Sequence, residues 1–159
     1  MTDNLGISYT EEQALVALYR QTGGEDWRNR TGWLTEADPC TWAGVTCEGD
    51  RVTALTLPGN RLAGTLPADL GLASYLTRLD LSGNRLQGSI PAELGNLRSL
   101  AVLNLSENQL AGTLPPRLRL LRSLRILDLH ENALTGPLPP SLQDLTALEY
   151  LNLADNRFT

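Results

Sequence analysis

The chain has 159 residues, 42% hydrophobic but only 5% aromatic, with 18 acidic residues against 13 basic ones and a net charge of −5. That length fits one domain with a buried core, and the shortage of aromatics leaves leucine to fill it. The acidic balance argues against a general phosphate-binding role, and no apolar run approaches the ~20 residues needed to cross a membrane.

The opening "MTDNLGISYTEEQ" lacks a basic start followed by an apolar stretch, so no secretory signal is expected there. Thr10 followed by Gln13 has capping-box spacing, and Ala14, Leu15, Leu18 and Tyr19 form a stripe at helical period. Gly23-Gly24 ends that predicted helix. Trp27, Trp33 and Trp42 follow in loop-like sequence, with Cys40 and Cys47 around the last of them. One bridge, a free thiol pair and a metal pair are the alternatives for the two cysteines. The metal reading fits zinc-ligand spacing poorly, because no His lies nearby. "VTCEGDRVTALTL", residues 45–57, predicts a strand, a tight turn at Glu48-Gly49-Asp50 and a second strand. Residues 1–51 do not repeat and are expected to form an N-terminal cap.

From residue 52 to 159 the sequence repeats every 24 residues, four and a half times. Asn60, Asn84, Asn108, Asn132 and Asn156 keep this step, as do Gly64, Gly88, Gly112 and Gly136 and Pro67, Pro91, Pro115 and Pro139. An L-x-L pair precedes each Asn, from Leu55/Leu57 to Leu151/Leu153. This period with L-x-L before Asn is the signature of leucine-rich repeats. The alternation puts both leucines of a pair on one face of a short strand. One repeat cannot bury them alone, so neighbours must stack. Asn turns the chain out of the strand and can form a buried ladder, and Gly serves where the backbone bends or nears the next coil. Proline suits an extended segment, after which Leu70, Leu94, Leu118 and Leu142 point inward from a short helical turn. Ala73 stands where later copies have Leu97, Leu121 and Leu145, and Leu72 is expected to replace it by a small shift.

The pattern LxxLxLxxNxLxGxIPxxLxxLxx resembles the plant-type leucine-rich repeat of receptor kinase ectodomains, polygalacturonase-inhibiting proteins and smaller bacterial and protist proteins. "ALVALY", "GG", "GWL" and "DPCTWAGVTC" resemble the cap that precedes such repeats. The resemblance implies an α/β solenoid: a right-handed superhelix with short parallel strands on its concave face, short helical or 3-10 turns on the convex side and an α-helical cap. It also implies a disulfide between Cys40 and Cys47. The absence of lysine and of a signal points to a bacterial subgroup, secreted or delivered to a host, with the cytoplasm as the alternative. No matching C-terminal cap follows. Leu151, Leu153 and Phe158 are therefore expected at an open edge, covered by further chain or by a second copy.

Function must come from positions that escape the core. The middle column of the strands is Thr56, Asp80, Asn104, Asp128 and Asn152, and the column before it is Ala54, Arg78, Val102, Ile126 and Tyr150. Beyond the strands come Pro58, Ser82, Ser106, His130 and Ala154, then Gly59, Gly83, Glu107, Glu131 and Asp155. Val102, Ile126 and Tyr150 form an apolar centre, flanked by Arg78 and Arg125 on one side and by carboxylates on the other, in the manner of a protein-binding patch. The candidate partner-binding residues are Arg78, Asp80, Val102, Asn104, Ile126, Asp128, His130, Tyr150 and Asn152. No catalytic residue, metal or cofactor is expected. Ser106, His130 and Asp128 are the residue types of a nucleophilic triad, but Asp and His two apart on one strand are poorly placed to bond. Arg98, Arg117, Arg119, Arg122 and Arg125 read as a solvated back face rather than a nucleic-acid site. The expected function is a non-enzymatic protein-binding module, in plant–microbe or cell-surface interaction. The alternative is a structural protein that self-associates through its C-terminal edge.

Overall fold

The computed structural model describes residues 6–159. Residues 1–5, where the signal-sequence reading and the start of the cap fall, lie outside the described residues. The first element is a helix, α1 (Tyr9–Gln21). Its capping box sits two residues earlier than Thr10/Gln13. Ser8 is extended, its Oγ accepts from the Glu11 N–H at 3.2 Å, and the Glu11 carboxylate accepts from the Ser8 N–H at 3.4 Å. Thr10 is already inside the first turn, so it cannot be the cap. Glu11 is buried, and its second oxygen accepts from the Val52 N–H at 2.8 Å, which ties the helix to the first repeat. Ala14, Leu15, Leu18 and Tyr19 are buried as their spacing requires, and Thr22 closes the helix onto the Leu18 carbonyl.

The three tryptophans form the core of the cap. Ring centroids are 4.8 Å apart for Trp27 and Trp33 and 4.9 Å for Trp33 and Trp42, with Tyr19 at 5.1 Å from Trp27. Burying an indole leaves an N–H to satisfy. The carbonyls of Thr22, Ala43 and Ala37 accept from Trp27, Trp33 and Trp42 respectively. Cys40 and Cys47, paired by the resemblance, are bonded to each other with Cα atoms 5.6 Å apart.

Strands β1 (Val45–Glu48) and β2 (Arg51–Thr56) make the antiparallel hairpin, with Gly49 at φ +62° in its turn. β2 then pairs in parallel with β4 (Arg78–Asp80), after β3 (Ala63–Thr65) has crossed to a second sheet. Each later repeat supplies one strand to each sheet. β6 (Val102–Asn104), β8 (Ile126–Asp128) and β10 (Tyr150–Asn152) extend the six-stranded concave sheet, ordered β1-β2-β4-β6-β8-β10. β5 (Arg85–Gly88), β7 (Gln109–Gly112), β9 (Ala133–Gly136) and β11 (Arg157–Phe158) join β3 in a five-stranded sheet. This second sheet is absent from the sequence expectation. Its strands are two to four residues long, too short to show alternation, and all but β11 contain Gly, which disfavours strand. The 3-10 turns predicted after each proline lie at Ala68–Leu72, Ala92–Asn96, Pro116–Leu120 and Pro140–Asp144.

Between these layers the leucines stack. Leu55, Leu79, Leu103 and Leu127 are fully buried, as are Leu70 and Leu94 from the turns. The expected shift at Ala73 does not occur. Ala73 is buried with φ −82° and ψ 67°, matching Leu97 at −84° and 71°, while Leu72 stays 41% exposed. Helix α1 packs directly on this turn, so its apolar face supplies the volume that leucine fills in later repeats. At the other end Leu151 is 47% exposed and Leu153 and Phe158 are half-buried. Among the described residues no helix is long and apolar enough to cross a membrane.

Candidate protein-binding face

Strand register sets the face. Ala54, Arg78, Val102, Ile126 and Tyr150 pair in sequence across the concave sheet, and so do Thr56, Asp80, Asn104, Asp128 and Asn152. The leucine between each pair points into the core, so both flanking side chains point out of it.

The second of these columns is already engaged by the scaffold. Where the chain leaves the strand, the N–H two residues on has no ladder partner, and a short side-chain oxygen reaches it. Asp80 Oδ1 accepts from the Ser82 N–H at 3.0 Å and the Ser82 hydroxyl at 2.7 Å. Asn104 Oδ1 does the same for Ser106 at 3.0 and 2.7 Å. Asp128 Oδ1 accepts from the His130 N–H at 3.1 Å, and Asn152 Oδ1 accepts from the Ala154 N–H at 3.0 Å. The need for that acceptor explains why four of the five copies carry Asp or Asn. Asp80, Asn104, Asp128 and Asn152 therefore hold the strand exit, and Asp80 is only 7% exposed.

Asp128 and His130, expected to be poorly placed to bond, are in fact paired. His130 Nδ1 lies 2.6 Å from Asp128 Oδ1, just before the turn in which Glu131 takes φ +55°. The hydrogen bond to Asp128 holds the His130 pKa above its ordinary value. Partial burial opposes that rise, while the charges of Asp128, Glu131 and Glu107 add to it. Ser106 does not complete a triad: it is buried and its hydroxyl is committed to Asn104.

What remains outward is an apolar row. Val102 and Ile126 are half-buried and Tyr150 is 48% exposed, its hydroxyl accepting from Asn152 Nδ2 at 3.3 Å. Arg78 is exposed at 3.4 Å from Asp80, and Arg125 is bound in a bidentate pair to Glu149 at 2.9 and 3.1 Å. Arg125 is thus occupied rather than free to frame the patch.

Carboxylates expected to flank the apolar centre lie in a second row, at the strand exits. Gly59, Gly83, Glu107, Glu131 and Asp155 all lie in the left-handed region, with φ between +55° and +67°. The last three are acidic and exposed. The turn is legible in the repeat column itself, because a column that accepts Gly in two copies marks positive φ. Glu107, His130 and Glu131 offer ligand atoms within 4.8 Å of one another, and His130 Nε2 lies 3.9 Å from Glu131 Oε1.

Comparisons with known proteins agree with this architecture. Residues 8–48 match the leucine rich repeat N-terminal domain, and residues 50–110 and 123–145 match leucine rich repeat models. The ectodomain of the receptor kinase SOBIR1 from Arabidopsis thaliana is 33% identical with a TM-score of 0.83, over 98% of this chain and 84% of that one. The Arabidopsis receptor kinase HAESA, in a structure with the peptide hormone IDA and the co-receptor SERK1, is 29% identical with a TM-score of 0.68. That match covers 96% of this chain and 30% of HAESA. A probable inactive receptor kinase of Arabidopsis thaliana is 45% identical over 58 residues, 36% of this chain and 8% of the kinase. The chain therefore matches less than a tenth of the length of such kinases. These relatives are plant proteins, and the bacterial placement draws no support from them. With its cap, its 24-residue coils and these matches, the chain belongs to the leucine-rich-repeat family, as a set of plant-type repeats preceded by the family's N-terminal domain.

Proposed function

We propose that this chain is a non-enzymatic protein-binding module that recognises a peptide or protein segment through its concave face, in plant–microbe or cell-surface interaction. The observation that carries the reading is the row Val102–Ile126–Tyr150, three apolar side chains in lateral register that the core does not use. A similar scaffold, HAESA, is described with a peptide hormone and a co-receptor. Recognition falls on Arg78, Val102, Ile126, His130 and Tyr150. Asp80, Asn104, Asp128 and Asn152 keep the strand exits rigid beneath them. Rigid presentation lowers the entropy lost on binding. Affinity capture with the wild type beside Ile126→Asp and Tyr150→Ala tests this, each variant first shown to keep its melting temperature. Loss of the captured partners in the variants is expected, and identical captured sets would place recognition elsewhere.

A further inference from the structure

The apolar and acidic rows occupy the same end of the face. Val102 is followed five positions later by Glu107, Ile126 by Glu131 and Tyr150 by Asp155, whereas Ala54 and Arg78 are followed by Gly59 and Gly83. Three consecutive repeats thus present an apolar side chain on the strand and a carboxylate at its exit. Stacked strands are roughly 5 Å apart, so the two rows run side by side for about 10 Å.

The acidic row has no arginine or lysine partner. Among the described residues no arginine nitrogen lies within 4.0 Å of Glu107, Glu131 or Asp155, and the chain contains no lysine. Arg78 and Arg125 are engaged by Asp80 and Glu149. His130 can carry positive charge beside the row, with Nε2 3.9 Å from Glu131 Oε1, but its Nδ1 is held by Asp128. The backbone beneath the row is fixed, with the Glu107 N–H donating to the His130 carbonyl at 2.8 Å and the Glu131 N–H to the Ala154 carbonyl at 3.0 Å. The carboxylates therefore stay clustered at the solvent edge of an unpartnered apolar strip, where a complementary positive charge gains both attraction and register.

We infer that the segment docked on this face is basic and apolar: it sets an aliphatic side chain on Val102 and Ile126 and an arginine or lysine against Glu107 and Glu131. The inference rests on the binding function proposed above and gives its partner a chemistry. A peptide of that kind crosses the strands, with its apolar side on the sheet and its charge over the rim.

Panning a randomised peptide display library on the wild type, the E107Q/E131Q double variant and Ile126→Asp tests the inference. Peptides selected on the wild type are expected to combine Arg or Lys with an aliphatic residue. They should bind E107Q/E131Q about tenfold or more weakly at 50 mM salt, and replacing the peptide's basic residue by Ala should cost nothing further in that variant. Selection of peptides without basic residues, lost on Ile126→Asp, overturns the inference and leaves the binding face standing. Selection unaffected by Ile126→Asp, or none at all, overturns both. Binding that requires added Zn2+ and disappears with EDTA makes the acidic row a metal site, and the inference falls.

Discussion

The side-chain oxygen of Asn84 accepts the backbone N–H of Asn60, one full coil away, at 2.8 Å, and the Leu62 N–H at 2.9 Å. Its amide nitrogen donates to the carbonyls of Leu57 at 3.0 Å and Leu81 at 2.8 Å. With a third bond from that nitrogen to the Ser82 carbonyl at 3.1 Å, one buried side chain engages five backbone groups on two coils. Asn108 and Asn132 bridge their own neighbours in related fashion, through Leu86 and Leu110. Replacing Asn84 by Ala leaves two buried N–H groups without a partner and should cost about 3 kcal/mol or more. Asn156→Ala, at the half-buried last copy, should cost about 1 kcal/mol. Urea melts of the two variants check the ordering, and equal losses would contradict it.

Glycine is required to different degrees along the chain. Gly64 has φ +114°, and a Cβ there would run into the Gln21 carbonyl oxygen at the end of α1. Gly59 has φ +56° with nothing within 4 Å of such a Cβ. Gly64→Ala must strain the backbone and push the cap off the repeats, and should cost about 3 kcal/mol. Gly59→Ala faces only the left-handed penalty of about 1 kcal/mol. Thermal unfolding of both variants measures the difference.

His130 is the only histidine, so its titration can be followed without overlap. The hydrogen bond to Asp128 raises its pKa, so the folded state holds the proton more tightly than the unfolded chain. The stability this contributes is complete below the unfolded value of about 6.5 and is lost as pH rises through the raised folded value. Proton NMR of the ring should give a midpoint above 6.5, and Asp128→Asn should bring it down. A wild-type midpoint at or below 6.5 would contradict the pairing.

The legible parts of this protein are those where one residue type answers one local demand. Leucine at every L-x-L position follows from burial, Asn and Gly from turn geometry, and both recur because each coil must meet the same neighbour. The helix of the cap was legible for the same reason, through Ala14, Leu15, Leu18 and Tyr19. Its start was displaced because Thr10 and Ser8 both have capping chemistry, and which is extended depends on the tie from Glu11 to Val52. Leu72 is expected to move inward because a leucine lies beside the alanine that breaks the column, whereas α1 packs on that turn and Ala73 itself stays buried.

The candidate site divides along the same line. Sequence alone determined the stacked solenoid and which leucines fill it, because a strict 24-residue period with buried alternation permits one arrangement of leucines. Only the tertiary structure decided what the outward residues do. Asp80, Asn104, Asp128 and Asn152 turn out to cap the chain beneath them, and His130 folds back on Asp128. The reason is physical: burial repeats with the sequence, but how a polar side chain uses its hydrogen bonds depends on the φ and ψ of the turn and on the neighbouring coil.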